Sequence, residues 1–199
     1  MIDARSDLAT LPPLAAMQAW AERAVIGLNL CPFAKAVQRS GGIRWVESAA
    51  LDEESLLADL VAELHLLSRT PAARIETTLI VHPQVLADFD DYNQFLDIAD
   101  AALEHLGLAG TIQIASFHPA YRFEGSRGDD ITNASNRAPY PALHLLREAS
   151  VEAAVAAFPD ATSIYSRNMK TLRKLGWPGW LALWGVRSDQ EPDAHHQNR

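Results

Sequence analysis

The stretch TTLIVHPQVLADFDDYNQFLDIADAALEHLGLAGTIQIASFHP, residues 77–119, decides the fold. Its first five residues, Thr77–Val81, are short, β-branched and almost continuously apolar. That is the composition of a strand buried on both faces. Next, Tyr92, Phe95, Ala99, Ala102, Leu103 and Leu106 fall on one face of a helix. Gly107 followed by Leu108 is a helix stop with its hydrophobic contact. TIQIASF (111–117) is a second strand. A strand, a helix and a strand of these lengths fit a βαβ unit, and each strand runs into a His-Pro pair, His82-Pro83 and His118-Pro119.

Working upstream, Ile43–Glu47 is a short strand behind Gly41-Gly42. Asp52 N-caps a helix with Glu53 and Glu54 in its dipole-favoured first turn and Leu56, Leu60, Leu64 and Leu67 on one side. Pro12 and Pro13 open a helix whose apolar stripe runs through Leu14, Met17, Ala21, Ala24, Val25 and Leu28. Downstream, 118–140 is a polar loop of a length that usually serves function. Pro141 is expected to open a helix over 141–157, with a weak strand at 162–165. A last helix over 166–175 should stop at Gly176, and Trp177, Trp180, Leu181, Leu183 and Trp184 should pack back on the body. The alternation predicts a single α/β layered domain over 11–187, with a mostly parallel or mixed sheet flanked by helices. The alternative is a ferredoxin-like α+β sandwich. Residues 1–10 and 188–199 read as flexible termini.

A chain of 199 residues buries roughly 70% of its unfolded surface and needs no metal or disulfide to fold. Its single cysteine suits a reducing compartment. The start has no secretory pattern, and no stretch reaches the ~18 apolar residues of a membrane span. A cytoplasmic protein without membrane attachment is expected. A net charge of −8 argues against nucleic-acid binding.

Four groups of residues carry candidate chemistry. Cys31, in NLCPFAK (29–35), precedes a proline that can open a helix. A thiol capping that helix would gain thiolate character, with Lys35 one turn along. The plainer reading is a small buried hydrophobe. The two His-Pro pairs, if their strands are parallel, leave the sheet at its carboxyl edge, where open α/β sheets bind ligands. The plainer reading is that proline simply ends strands. The densest group is 116–148, with His118, Tyr121, Asn133, Asn136, Arg137, Tyr140, His144, Arg147 and Glu148. On the expected helix after Pro141, His144, Arg147 and Glu148 share a face. That pairing suits acid–base work, or, with His118, a two-His, one-carboxylate metal set. Equally, it is a helix-surface pair. Arg137 and Arg147 suit an anionic group, with Asn133 and Asn136 as neutral donors. The fourth group, Arg167, Lys170, Arg173 and Lys174, is a basic helix face most simply read as solvated. No Walker, GxGxxG, GxSxG or paired-cysteine pattern is present, and the cofactor is left open.

VIGLNLCPFAK (25–35), TTLIVHP (77–83), DYNQFLDIAD (91–100), QIASFHPAYRFEG (113–125) and NRAPYPALHLLREAS (136–150) resemble an uncharacterised bacterial family, catalogued as domain of unknown function 1415. The resemblance covers about residues 14–176. It implies a free-standing bacterial protein and carries no activity, substrate or site residue.

The leading functional expectation is an enzyme acting on a small anionic metabolite. Cys31, His118 and His144 would be catalytic, and Lys35, Tyr121, Asn136, Arg137, Arg147 and Glu148 would bind the substrate. The alternatives are a non-catalytic interaction module that uses the tryptophans, and a mononuclear metal-binding protein. The oligomeric state is open.

Overall fold

A computed structural model describes residues 10–157 and 163–184. The expectations for the termini, for Thr162 and for 185–187 lie outside the described residues. Among the described residues, four strands form one sheet: β1 (Ile43–Glu47), β2 (Thr77–Val81), β3 (Ile112–Phe117) and β4 (Ala142–Arg147). The order is β1-β2-β4-β3. β1 and β2 are parallel, and β4 is antiparallel to both β2 and β3. The domain is therefore α/β with a mixed sheet. β2 and β3 run the same way, joined by the expected helix α4 (Phe89–His105), but β4 separates them. The βαβ unit is split.

β4 corrects the sequence reading most sharply. The helix expected over 141–157 is a strand through Arg147, and only then helix α5 (Glu148–Ala157). The physical reason is burial on both faces. Leu143 and Leu145 enter the core under α4 and α3 (Glu53–Arg69), while Ala142 faces the opposite layer. A strand covered on both sides loses its alternation, and a short apolar run then fits either period. The same burial made TTLIV legible only because its β-branched residues argue for a strand.

Each face of the sheet has its own core. Leu56, Leu60 and Leu64 of α3 and Tyr92, Phe95 and Ala99 of α4 cover Ile80, Ile112, Leu143 and Leu145. On the other face, α1 (Pro13–Trp20) continues as a π-helical turn, Ala21–Ile26, and α6 (Ser163–Ala182) packs beside it. Met17, Trp20, Met169, Leu172, Trp180 and Trp184 cover Leu79, Val81 and Ala142. Residues 163–165 are helical rather than extended. α6 does break at Gly176, whose φ of 63° is left-handed, and the tryptophans and Leu183 beyond it fold back as expected, whereas Leu181 is exposed.

Local signals explain the edges of these elements. Asp52 and Ser55 form a reciprocal capping box on α3. Asp88 accepts the Asp90 and Asp91 N–H groups at the start of α4. Gly107, with φ 67°, lets Leu108 N–H return to Leu103 O and close α4.

Arg147 ties the far end of β4 to the body. Its Nη2 donates to Leu67 O (2.8 Å), to Ile75 O (3.0 Å) and, in a short contact, to Thr70 O, while Nε donates to Ile75 O (3.2 Å). Two of these carbonyls belong to the C-terminal end of α3, the negative pole of that helix. Arg147→Lys, which keeps the charge but loses the planar fork, is expected to lower unfolding free energy by roughly 2 kcal/mol in urea titration, and Arg147→Ala by more.

Candidate functional site

The three histidines singled out in the sequence, two at strand ends and one on an expected helix, divide between the two faces of the sheet. His82 and His118 leave the carboxyl ends of β2 and β3, as the His-Pro reading expects for parallel strands, and meet over α4. Tyr92 lies between them, with ring centroids 5.7 Å from His82 and 5.0 Å from His118. Phe89 closes the group at 5.4 Å from His118. The Tyr92 hydroxyl donates to Ala142 O (2.8 Å) and accepts the Phe117 N–H (3.2 Å), so it also fastens the end of the β3–β4 ladder.

Both imidazoles here serve the main chain. His82 Nδ1 lies 3.0 Å from Val85 O, to which it donates. His118 accepts the Ala120 N–H at Nδ1 (3.0 Å) and donates from Nε2 to Leu86 O (3.2 Å). Between them they hold the turn 82–88, in which Leu86 has a left-handed φ of 57°. Both residues are fully buried. With its two ring nitrogens engaged, His118 offers no lone pair to a substrate. Its expected catalytic part therefore has no support in this geometry.

His144 is placed differently. It sits on β4 opposite Leu79 and Ala115 and faces the α1 side of the sheet. Phe117 is its ring neighbour at 6.0 Å, and Trp20 packs edge-on to Phe117 at 4.9 Å. Nε2 lies 2.7 Å from Thr77 Oγ1. Among the described residues nothing bonds Nδ1. His144 is half-buried. The expected helical trio of His144, Arg147 and Glu148 does not exist. Successive strand residues point to opposite faces, so Arg147 is turned away from His144, and Glu148 begins α5.

The other expected ligands are distributed through the fold. Arg137 donates from Nε to Tyr121 O (2.9 Å) and from Nη2 to Gly128 O (2.6 Å), with its guanidinium 5.3 Å from the Trp177 ring. Trp177 Nε1 donates to Asp129 O (2.9 Å). Asn136 donates to Ser116 O and accepts Ser135 Oγ. Tyr121 packs on Phe89 and Phe123. Buried Asn133 accepts the Phe123 N–H and Ser126 Oγ and donates to Arg127 O. The long loop 118–141 is thus a wired structure: Arg137 bonds main-chain carbonyls, while Arg122 and Arg127 pair with the carboxylates of Asp90 and Asp129. Cys31 is half-buried, between the π-helical turn and α2 (Ala34–Arg39). The residue before α2 is Phe33, so the expected helix-capping thiol is not formed. Lys35 is exposed in the first turn of α2. Among the described residues no hydrogen bond or ring contact links Cys31 to His118 or His144.

The metal alternative also loses its ligand set, because His118 and His144 are on opposite faces. Among the described residues no three His, Cys, Asp or Glu side chains gather in a metal-binding group. An open depression of about 730 Å³ lies between the N-terminal ends of α3 and α4. Asp52, Glu53, Glu54, Asp88 and Asp91 line it around Leu86, and this charge repels anions.

The family model described as "Protein of unknown function (DUF1415)" matches residues 13–182. The chain belongs to that family. No curated protein and no solved structure matches. The matched span takes in α1 through α6, including all four strands, His82, His118 and His144. Sequence reading found the three histidines of this family member but missed two partners, Thr77 and Tyr92, which read only as strand and core residues. The one signal pointing to Thr77 is a hydroxyl at the first position of an otherwise apolar strand.

Burial pushes the pKa of both His82 and His144 down to about 4, from 6.5, and that of His118 down as well. In the unfolded chain these imidazoles protonate near 6.5, so the unfolded state binds more protons between 6.5 and 4. Stability is therefore complete above pH 6.5 and falls as the pH drops toward 4, by up to about 3 kcal/mol for each of the two. Urea midpoints measured across that window are expected to fall steeply. They should fall less in His82→Asn, whose amide keeps a donor for Val85 O without a titrating ring.

Proposed function

We propose that this protein binds a small molecule on the α1 face of the sheet, at His144, and uses the imidazole to accept a hydrogen bond or a proton from it. The observation that carries the reading is the state of the His144 ring, with one nitrogen engaged by Thr77 and the other without a bond among the described residues. A general base needs a neutral imidazole within reach of its substrate. With a pKa near 4, His144 is neutral at physiological pH. Phe117 and Trp20 supply an apolar wall beside it. His82 and His118 are buried and bonded to the main chain, which leaves them a structural part.

The anionic character expected of the ligand depended on Arg137 and Arg147, whose guanidiniums bond main-chain carbonyls. The small-molecule reading therefore rests on His144 and gives up the anion. The interaction-module alternative gains little from the tryptophans, since Trp180 and Trp184 are buried and the partly buried Trp177 is held by Asp129 O and the Arg137 guanidinium. A single cysteine favours the reducing cytoplasm as the place of action.

A metabolite screen by thermal shift tests this. Hits are expected to raise the melting temperature of the natural chain by a few degrees at saturating concentration. They should lose that effect in His144→Gln and keep it in His82→Asn. Equal shifts in His144→Gln would refute the assignment of the site.

A further inference from the structure

We infer that Thr77 is the positioning residue of the His144 site, that it fixes the imidazole as the Nε2–H tautomer, and that the ligand must therefore present a proton donor. The inference rests on the small-molecule reading above only for its last clause. The first two follow from geometry alone.

Thr77 Oγ1 has one proton and two close partners. One is the main-chain carbonyl of Leu145, at 2.5 Å. A carbonyl oxygen has no proton to give, so two oxygens this close require the hydroxyl proton between them. The second partner is His144 Nε2, at 2.7 Å. With its proton already directed at Leu145, Thr77 can only accept there, so the proton in that contact belongs to the imidazole. The neutral ring carries one proton in all, which leaves Nδ1 as a bare lone pair.

The sheet holds this chain of donors in place. Thr77 pairs with Leu146 on β4, one residue beyond Leu145 and two beyond His144, so the hydroxyl is set by strand register rather than by a mobile loop. Thr77 is itself buried, and its β-branched side chain has few rotamers. A valine in its place has the same shape and no hydroxyl. Serine restores the hydroxyl.

A ligand that meets a bare Nδ1 is held if it brings a hydroxyl or N–H, and is repelled if it brings only acceptor oxygens. A carboxylate or phosphate dianion thus fits this face poorly, whereas an alcohol, phenol or amide fits it. The partly buried rings of Phe117 and Trp45 on the same face favour an apolar body behind that donor.

Nitrogen-15 NMR of the full chain labelled at histidine decides the matter at neutral pH. The His144 spectrum is expected to show an unprotonated Nδ1 and a protonated Nε2. Thr77→Val should turn this into a mixed tautomer population, and Thr77→Ser should keep the single one. A protonated Nδ1 in the natural chain, or an unchanged tautomer in Thr77→Val, would overturn the role given to Thr77. Should Thr77→Val fail to fold, the natural spectrum and Thr77→Ser carry the test. Titration with phenol and, separately, with benzoate then examines the ligand rule. Phenol is expected to shift Nδ1 and benzoate to leave it unmoved. A shift with benzoate equal to that with phenol overturns the donor requirement. No shift with either probe removes the ligand reading and leaves the tautomer assignment standing.

Discussion

Every other feature of the structure depends on β4 lying between two strands that run the opposite way to it. β2 and β3 reach the sheet through a conventional crossover, yet they never touch, because β4 takes the hydrogen bonds each would offer the other. Its position is over-determined. Leu143 and Leu145 fill the α3–α4 core. The Tyr92 hydroxyl bridges Ala142 O and Phe117 N–H at one end, and the Arg147 guanidinium gathers carbonyls of α3 and the loop after it at the other. A polar residue in the middle of such a strand has little freedom, and that residue is His144.

The histidines show how one residue type takes different roles by environment. At the carboxyl ends of β2 and β3 the chain turns sharply, and its main-chain groups need partners that the sheet no longer supplies. Imidazoles give both a donor and an acceptor at fixed separation, and His118 uses both. His82 donates to Val85 and keeps a buried Nε2 without a partner among the described residues. An orphaned acceptor of this kind costs on the order of 1–3 kcal/mol. His144, in mid-strand, owes nothing to a turn.

Legibility in the sequence followed periodicity. α3 was readable from its cap, Asp52, and α4 to its stop, Gly107, because an amphipathic helix shows its stripe and these residues mark ends by side-chain chemistry or backbone freedom, whereas the Asp88 cap of α4 went unread. Thr77–Val81 was readable through its β-branched residues. ALHLLR was not, since leucines and an alanine favour a helix locally and only the flanking strands make them extended. That one misreading created the false His144–Glu148 pair and hid Thr77, whose meaning comes entirely from the strand opposite. The arginines were misjudged for a related reason. A guanidinium in a polar loop invites an anion in one dimension, and only the folded loop reveals that carbonyls are its partners. What did transfer was the pairing of the two His-Pro corners, because parallel strands put their carboxyl ends on one edge.

The sheet also imposes an order of events on a ribosome. When residue 141 has been joined, β1, β2 and β3 all exist, yet β2 has an open edge and β3 has two, each a row of unsatisfied N–H and C=O groups. Among the described residues, the strand that completes both is the last to be synthesised. Until it arrives, the nascent chain holds a slot the width of one strand, lined with apolar side chains, and a foreign peptide of the same length can enter it. The chain is thus most vulnerable to mispairing late in translation, for the short time between the emergence of β3 and the capture of ALHLLR.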